Sequence, residues 1–110
     1  MQRLTALTLP TIIAEAETAA ILFGSPEGET TRDQAHDFAE AWLEQRHHAH
    51  FGYVDAFENV GAARAHGIRV LPTTLILRDG ELIAKLEGKQ SVLRIAAAIA
   101  RAGAPHQAAA

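Results

Sequence analysis

The chain has 110 residues, 48% of them apolar and 21% charged, which is the size and composition of one globular domain with one core. Thirteen acidic against ten basic residues give a formal charge of -3, and no stretch gathers Lys and Arg into the surface that nucleic acid or an anionic membrane requires. There is no cysteine, which removes disulfides, thiolate metal ligands and cysteine nucleophiles together, and no apolar run reaches the ~18 to 20 residues needed to span a bilayer.

In chain order, Met1-Gln2-Arg3-Leu4-Thr5 lacks a secretory hydrophobic region, so a cytoplasmic protein is expected. Residues 5–7 can pair as a brief edge strand. Thr8 as N-cap, Pro10 in the first turn, and Leu9, Ile12 and Ile13 on one face predict a short helix. Ala19-Ala20-Ile21-Leu22-Phe23-Gly24 is apolar on both alternations, the pattern of a central strand covered on both faces by helices. Ser25-Pro26-Glu27-Gly28-Glu29 is a breaker-rich loop, and Thr30 with Asp33 three residues on supplies a capping-box-like start for a long helix. Ala35, Phe38, Ala39, Trp42 and Leu43 give that helix its stripe, and it should end near His47.

Residues 50–56, with Phe51, Tyr53 and Val54, predict a second strand, and residues 57–66 a small helix closed by Gly67. After Pro72, Thr73-Thr74-Leu75-Ile76-Leu77 is a β-branched strand that turns through Arg78-Asp79-Gly80 into a return strand over residues 81–86. Ser91 opens a last helix with Val92, Ile95, Ala96 and Ile99 buried. The domain is expected over residues 1–102, with 103–110 a disordered tail. This order demands an α/β fold with a central mixed sheet, helices on both faces, and a C-terminal β-hairpin plus helix.

The run His66-Gly67-Ile68-Arg69-Val70-Leu71-Pro72-Thr73-Thr74-Leu75-Ile76-Leu77-Arg78-Asp79-Gly80-Glu81 resembles the thioredoxin superfamily. There a helix ends in Gly, a cis proline begins the next strand, and an Asp-Gly or Asn-Gly hairpin follows. The resemblance implies a thioredoxin-like fold with Leu71-Pro72 as the cis pair, proline being the residue at which a cis bond costs little. The family's dithiol would fall after the Ile21-Leu22-Phe23 strand, where this chain reads Glu27-Gly28-Glu29-Thr30-Thr31-Arg32-Asp33, so no thiolate exists to attack a disulfide. The buried acid of many redox members is also absent from a strand that ends Phe23-Gly24.

Within the superfamily the chain is similar to the cysteine-free accessory proteins for expression and maturation of membrane-bound nickel–iron hydrogenases. The likeness lies in Ser25-Pro26-Glu27 and in the run from His66-Gly67-Ile68 to Leu86-Glu87-Gly88. Leu71, and Gln90-Ser91-Val92 at the last helix, stand where that branch tends to carry aromatic residues. The resemblance implies a redox-inactive chaperone rather than an enzyme, with no cofactor. Its partner would be a hydrogenase small-subunit precursor bearing a twin-arginine export signal. Glu27, Glu29, Thr30 and Asp33 would face the signal's arginines, and Leu71 and Pro72 would border the groove for its extended chain.

Two side-chain clusters have simpler readings. His47, His48 and His50 are metal-ligand types, but at a helix end they serve the helix dipole, and no convergent third or fourth ligand is evident. Glu27, Glu29 and Asp33 lack the nucleophile, oxyanion site or metal that acid-base chemistry would need, and they also complement a helix N-terminus. His36 and His66 read as surface or helix-end residues, and Trp42 as core. The alternatives are an interaction or assembly subunit of another pathway, or a cysteine-free glutathione-dependent enzyme domain. Enzymes of that last kind usually need a second, all-helical domain. Oligomeric state is open.

Overall fold

The computed structural model describes residues 1–103. The elements are β1 (Gln2–Leu4), α1 (Leu9–Glu15), β2 (Thr18–Gly24), α2 (Glu29–Gln45), β3 (His50–Asp55), α3 (Val60–Ala65), β4 (Thr73–Arg78), β5 (Glu81–Glu87) and α4 (Val92–Gly103). The strands form one sheet in the order β1-β3-β2-β4-β5. β1 and β2 each run parallel to β3, whereas β4 runs antiparallel to β2 and to β5. The mixed sheet with helices on both faces is as the sequence demands. Among the described residues, no helix is long and apolar enough to cross a membrane.

β2 is buried along its whole length because each alternation feeds a different core. Ala19, Ile21 and Phe23 join Leu4, Leu9, Val54, Ala63, Leu75 and Leu77 under α1 and α3. Ala20 and Leu22 join Phe38, Ala41, Phe51, Ile76, Ile95 and Ile99 under α2 and α4. The ring centroids of Phe38 and Phe51 lie 5.1 Å apart, tilted, within the range of a favourable aromatic pair.

Several local expectations are corrected. Residues 5–7 are not a strand; the edge strand is Gln2–Leu4. The threonines divert the backbone: Thr5 N–H donates to Thr8 Oγ1 at 2.8 Å, Leu7 N–H donates to Thr5 Oγ1, and Ala6 N–H donates to Asn59 Oδ1. Thr8 is the N-cap of α1 by position, but its hydroxyl is spent on Thr5 and makes no cap bond. α2 starts one residue earlier than Thr30, with Gly28 as N-cap and no side-chain cap. Neither Thr30 nor Asp33 forms the expected capping box. Thr31 is instead the inward hydroxyl, accepting from Ser25 N–H at 3.2 Å. It fits because Gly24 has no side chain: a Cβ there would clash with Thr31 Cγ2.

The buried face of α2 carries Thr31, Gln34, Phe38 and Ala41, so the stripe is rotated from the expected one and Leu43 is exposed. Gln34 hid it, since a fully buried glutamine is uncommon without partners. Its Nε2 donates to Gln90 O at 2.9 Å and its Oε1 accepts from Gln90 N–H, which fixes the loop before α4. α2 ends at Gln45, two residues before His47 and so near it as expected, and His47 and His48 are exposed beyond it.

α3 spans Val60–Ala65 rather than 57–66, because Asp55 Oδ1 accepts from the N–H groups of Phe57 and Glu58 and holds them in a turn. Asp79 (φ 50) and Gly80 (φ 81) are both left-handed, as a two-residue hairpin of this hand requires. Ser91 caps α4, its Oγ accepting from Arg94 N–H at 3.1 Å. The helix buries Ile95, Ala98, Ile99 and Ala102, while Val92 and Ala96 are half-buried. Gly103, assigned above to the tail, is its last residue, and residues 104–110 lie outside the described residues.

Candidate functional site

Strand directions bring five connections to one end of the sheet. β1, β2, β3 and β5 finish there and β4 begins there. Phe23 pairs with Thr73 and Gly24 with Asp55, so the loop after β2, the turn after β3 and the segment entering β4 emerge side by side. The Leu71-Pro72 peptide bond is cis, as the resemblance implies. Pro72 is buried, and Leu71 is half-buried against the α1/α3 core. Val70 beside them is 44% exposed, and its carbonyl accepts from Thr73 Oγ1.

Glu27 is exposed on the loop after β2 and lines a concavity of about 540 Å³ with Arg3, Ser25, Pro26, Asp55, Phe57 and Glu58. Asp55 is its buried member, 6% exposed, and Phe57 its most open apolar one, 69% exposed. Arg3 Nη2 lies 3.6 Å from Asp55 Oδ2 and 3.3 Å from Glu58 Oε2. One guanidinium therefore faces two carboxylates, and Glu27 adds a third. Glu29, Thr30 and Asp33 stand exposed on the first turns of α2, so of the acidic residues named from the sequence only Glu27 is placed in this groove.

Sequence reasoning missed Arg3, Asp55, Phe57 and Glu58. The available signal was an aspartate ending a strand, Val54-Asp55, followed by an aromatic residue in a turn. A buried acid does occur at this end of the sheet, but on β3 beside Gly24 rather than on β2. Close by, Tyr53 has its pKa raised, first by burial and then by the Asp55 carboxylate, with Arg3 opposing. His66 caps the C-terminus of α3 with its ring centroid 5.9 Å from that of Phe23, and burial lowers its pKa.

At the far end of the sheet, His47 and His48 border open concavities with Glu17 and Thr18, and His50 Nε2 is 3.1 Å from Gln2 Oε1. Among the described residues, no group of three or more His, Cys, Asp or Glu side chains is arranged to hold a metal. Trp42 packs against the α2/α4 core, with the Arg46 guanidinium 5.7 Å from its ring centroid. The chain has no cysteine, so thiol–disulfide exchange has no attacking atom here.

No family model matches the chain, and no curated protein matches it in sequence. Solved structures do match in shape. A thioredoxin from Fasciola hepatica is 22% identical with a TM-score of 0.82, over 92% of this chain and 98% of that one. A mutant thioredoxin from Halobacterium salinarum is 20% identical with a TM-score of 0.83, over 96% and 92%. A chloroplastic thioredoxin z is 17% identical with a TM-score of 0.84, over 93% of each chain. At these identities the likeness establishes a thioredoxin-like fold for nearly the whole chain.

Proposed function

We propose that this chain is a redox-inactive binding module that holds an extended basic polypeptide at the strand-end groove. The observation that carries the reading is the groove itself. Asp55 and Glu58 share the Arg3 guanidinium and Glu27 adds a carboxylate with no ion pair among the described residues, beside an exposed Phe57 and in a chain without a thiol. An arginine entering the groove gains charge-assisted bonds from the carboxylates and a cation–π contact with Phe57. Backbone next to Val70 and Leu71 is placed to pair with the rest of the chain as an added strand.

The finer reading is that the client is an unprocessed nickel–iron hydrogenase small subunit, held through its twin-arginine export signal. It is supported by the resemblance in residues 25–27 and 66–88 and by the acidic character of the groove. In this reading Leu71 and Pro72 would border the path of the extended chain, and Glu29, Thr30 and Asp33, exposed on α2, would face the signal's arginines beside Glu27.

A fluorescent signal peptide tests both levels. Wild-type protein should bind it, and the Glu27→Lys, Phe57→Ser double variant should bind at least about tenfold more weakly. Replacing both arginines of the peptide should reproduce that loss. Binding should also weaken as salt approaches about 1 M, where the Debye length is roughly 3 Å. Peptide binding without recovery of the precursor from cells retains the polypeptide module and ends the hydrogenase reading. No binding at low salt ends both.

A further inference from the structure

A second recess lies beyond Pro26 and Arg3, on the α2 side of the sheet. One row of side chains crosses three strands there: Arg3 pairs with Tyr53, and Tyr53 with Leu22. The first turns of α2 lie over that row and contribute Thr31, Arg32, Ala35 and Phe38. Between them is a cavity of about 240 Å³, bordered also by Met1 and Pro26. Leu22 and Phe38 lie beneath it and are almost fully buried, so its accessible apolar surface is that of Met1, Pro26, Ala35 and the Tyr53 ring.

The polar groups at its border are of one kind. Arg32 is exposed on α2 and, among the described residues, forms no ion pair and no side-chain hydrogen bond, whereas Arg3 is held by Asp55 and Glu58. The Tyr53 hydroxyl belongs to a half-buried side chain and likewise has no hydrogen-bond partner among the described residues. No carboxylate lines this cavity, in contrast to the neighbouring groove. An apolar recess bordered by an unpaired guanidinium and a free hydroxyl donor suits a ligand that is apolar at one end and anionic at the other.

Size narrows the class. A cavity of roughly 150 Å³ accommodates benzene, so this one holds a ring with a short chain or an aliphatic chain of medium length. A phosphate would demand more cationic donors than one free arginine. We infer that the recess between Met1, Ala35 and Tyr53 binds a small apolar monocarboxylate, its tail over Met1, Ala35 and the Tyr53 ring and its carboxylate on Arg32 and the Tyr53 hydroxyl. A phenol is protonated at neutral pH, and burial with the nearby Asp55 carboxylate raises the Tyr53 pKa further, so its hydroxyl is a donor there. The recess adjoins the peptide groove and shares Arg3 and Pro26 with it, but its ligand contacts lie on other residues, so it stands whether or not that reading does.

Octanoate is the probe, with octanol and octylamine as chain-matched neutral and cationic controls, titrated into the full chain and followed by amide and methyl NMR shifts. Octanoate should shift signals of Met1, Arg32, Ala35 and Tyr53 saturably, and the controls should bind at least about tenfold more weakly. Arg32→Glu, an exposed change, should cost a similar factor while leaving the spectrum folded. Ala35→Phe should fill the recess and remove binding. Equal affinity for octylamine or octanol, shifts centred elsewhere, or full affinity in Arg32→Glu would overturn the inference.

Discussion

The two faces of the sheet are built differently. Under α2 and α4, helices of 17 and 12 residues cover Ala20, Leu22, Phe51 and Ile76, and Gln34 ties α2 to the loop before α4. Under α1 and α3, helices of 7 and 6 residues cover Ile21, Phe23, Val54 and Leu75. Helices so short do not persist alone, so the second face is ordered only by its packing. Its connections build one side of the groove, since the turn after Asp55 leads into α3, while Ser25, Pro26 and Glu27 on the loop into α2 build the other. The long-helix face thus has the longer helical cover, and the short-helix face supplies the turn of Asp55, Phe57 and Glu58 to the site.

The sharpest way to break this comparison is truncation on the long-helix face. Phe38 is fully buried and packs on Phe51, so Phe38→Ala should destabilise by about 3–5 kcal/mol, measured by urea unfolding. By contrast, Phe57 is mostly exposed and joins neither core, so Phe57→Ser should change stability by no more than about 0.5 kcal/mol. Equal costs at the two positions would erase the distinction between scaffold and site.

A smaller effect is expected at Gln34. Gln34→Leu keeps the apolar stem but leaves the Gln90 N–H and C=O without their partner, at a cost of about 2–3 kcal/mol in the same measurement. The loss should appear as faster amide exchange at the start of α4 before it appears in α3. If exchange rises first in α3, the clamp couples the two faces instead of serving one.

How far the sequence disclosed this arrangement depended on whether a residue's role was local. β2 was legible because residues 19–24 are all compatible with burial, although the strand begins at Thr18, and the hairpin was legible because Asp79-Gly80 suits left-handed backbone. The turn of residues 5–8 and the start of α3 were not, because threonine hydroxyls and the Asp55 carboxylate take backbone donors that periodicity assigns to strand or helix. The stripe of α2 was misplaced by one polar residue whose partners lie 56 positions away. For the site, Glu27 was found from its loop, but Asp55, Phe57 and Glu58 join it only because β2 and β3 are parallel neighbours that end together. Arg3 comes from β1, which pairs with β3 alone, and nothing near it in sequence marks that destination.

The finest test of the comparison uses pH on the short-helix face. His66 ends α3 with its ring against Phe23, and burial lowers its pKa from the ordinary 6.5. Between the unfolded and folded values the unfolded chain binds the proton more readily, so stability rises with pH there. The protein should therefore lose stability as pH falls below about 6.5, with the loss levelling off below the depressed folded value. Well above pH 6.5 the imidazole is neutral in both states and contributes no pH dependence. His66→Phe keeps an aromatic ring on Phe23 and removes the titration, so its stability should be flatter than wild type between about pH 7 and 5 in urea unfolding. The difference is small because the ring is only half-buried. If it arises through local opening of α3, amide exchange in Val60–Ala65 should accelerate on acidification in wild type and not in the variant, while α2 remains protected in both. A parallel loss of protection in α2 would mean that the two faces unfold as one unit.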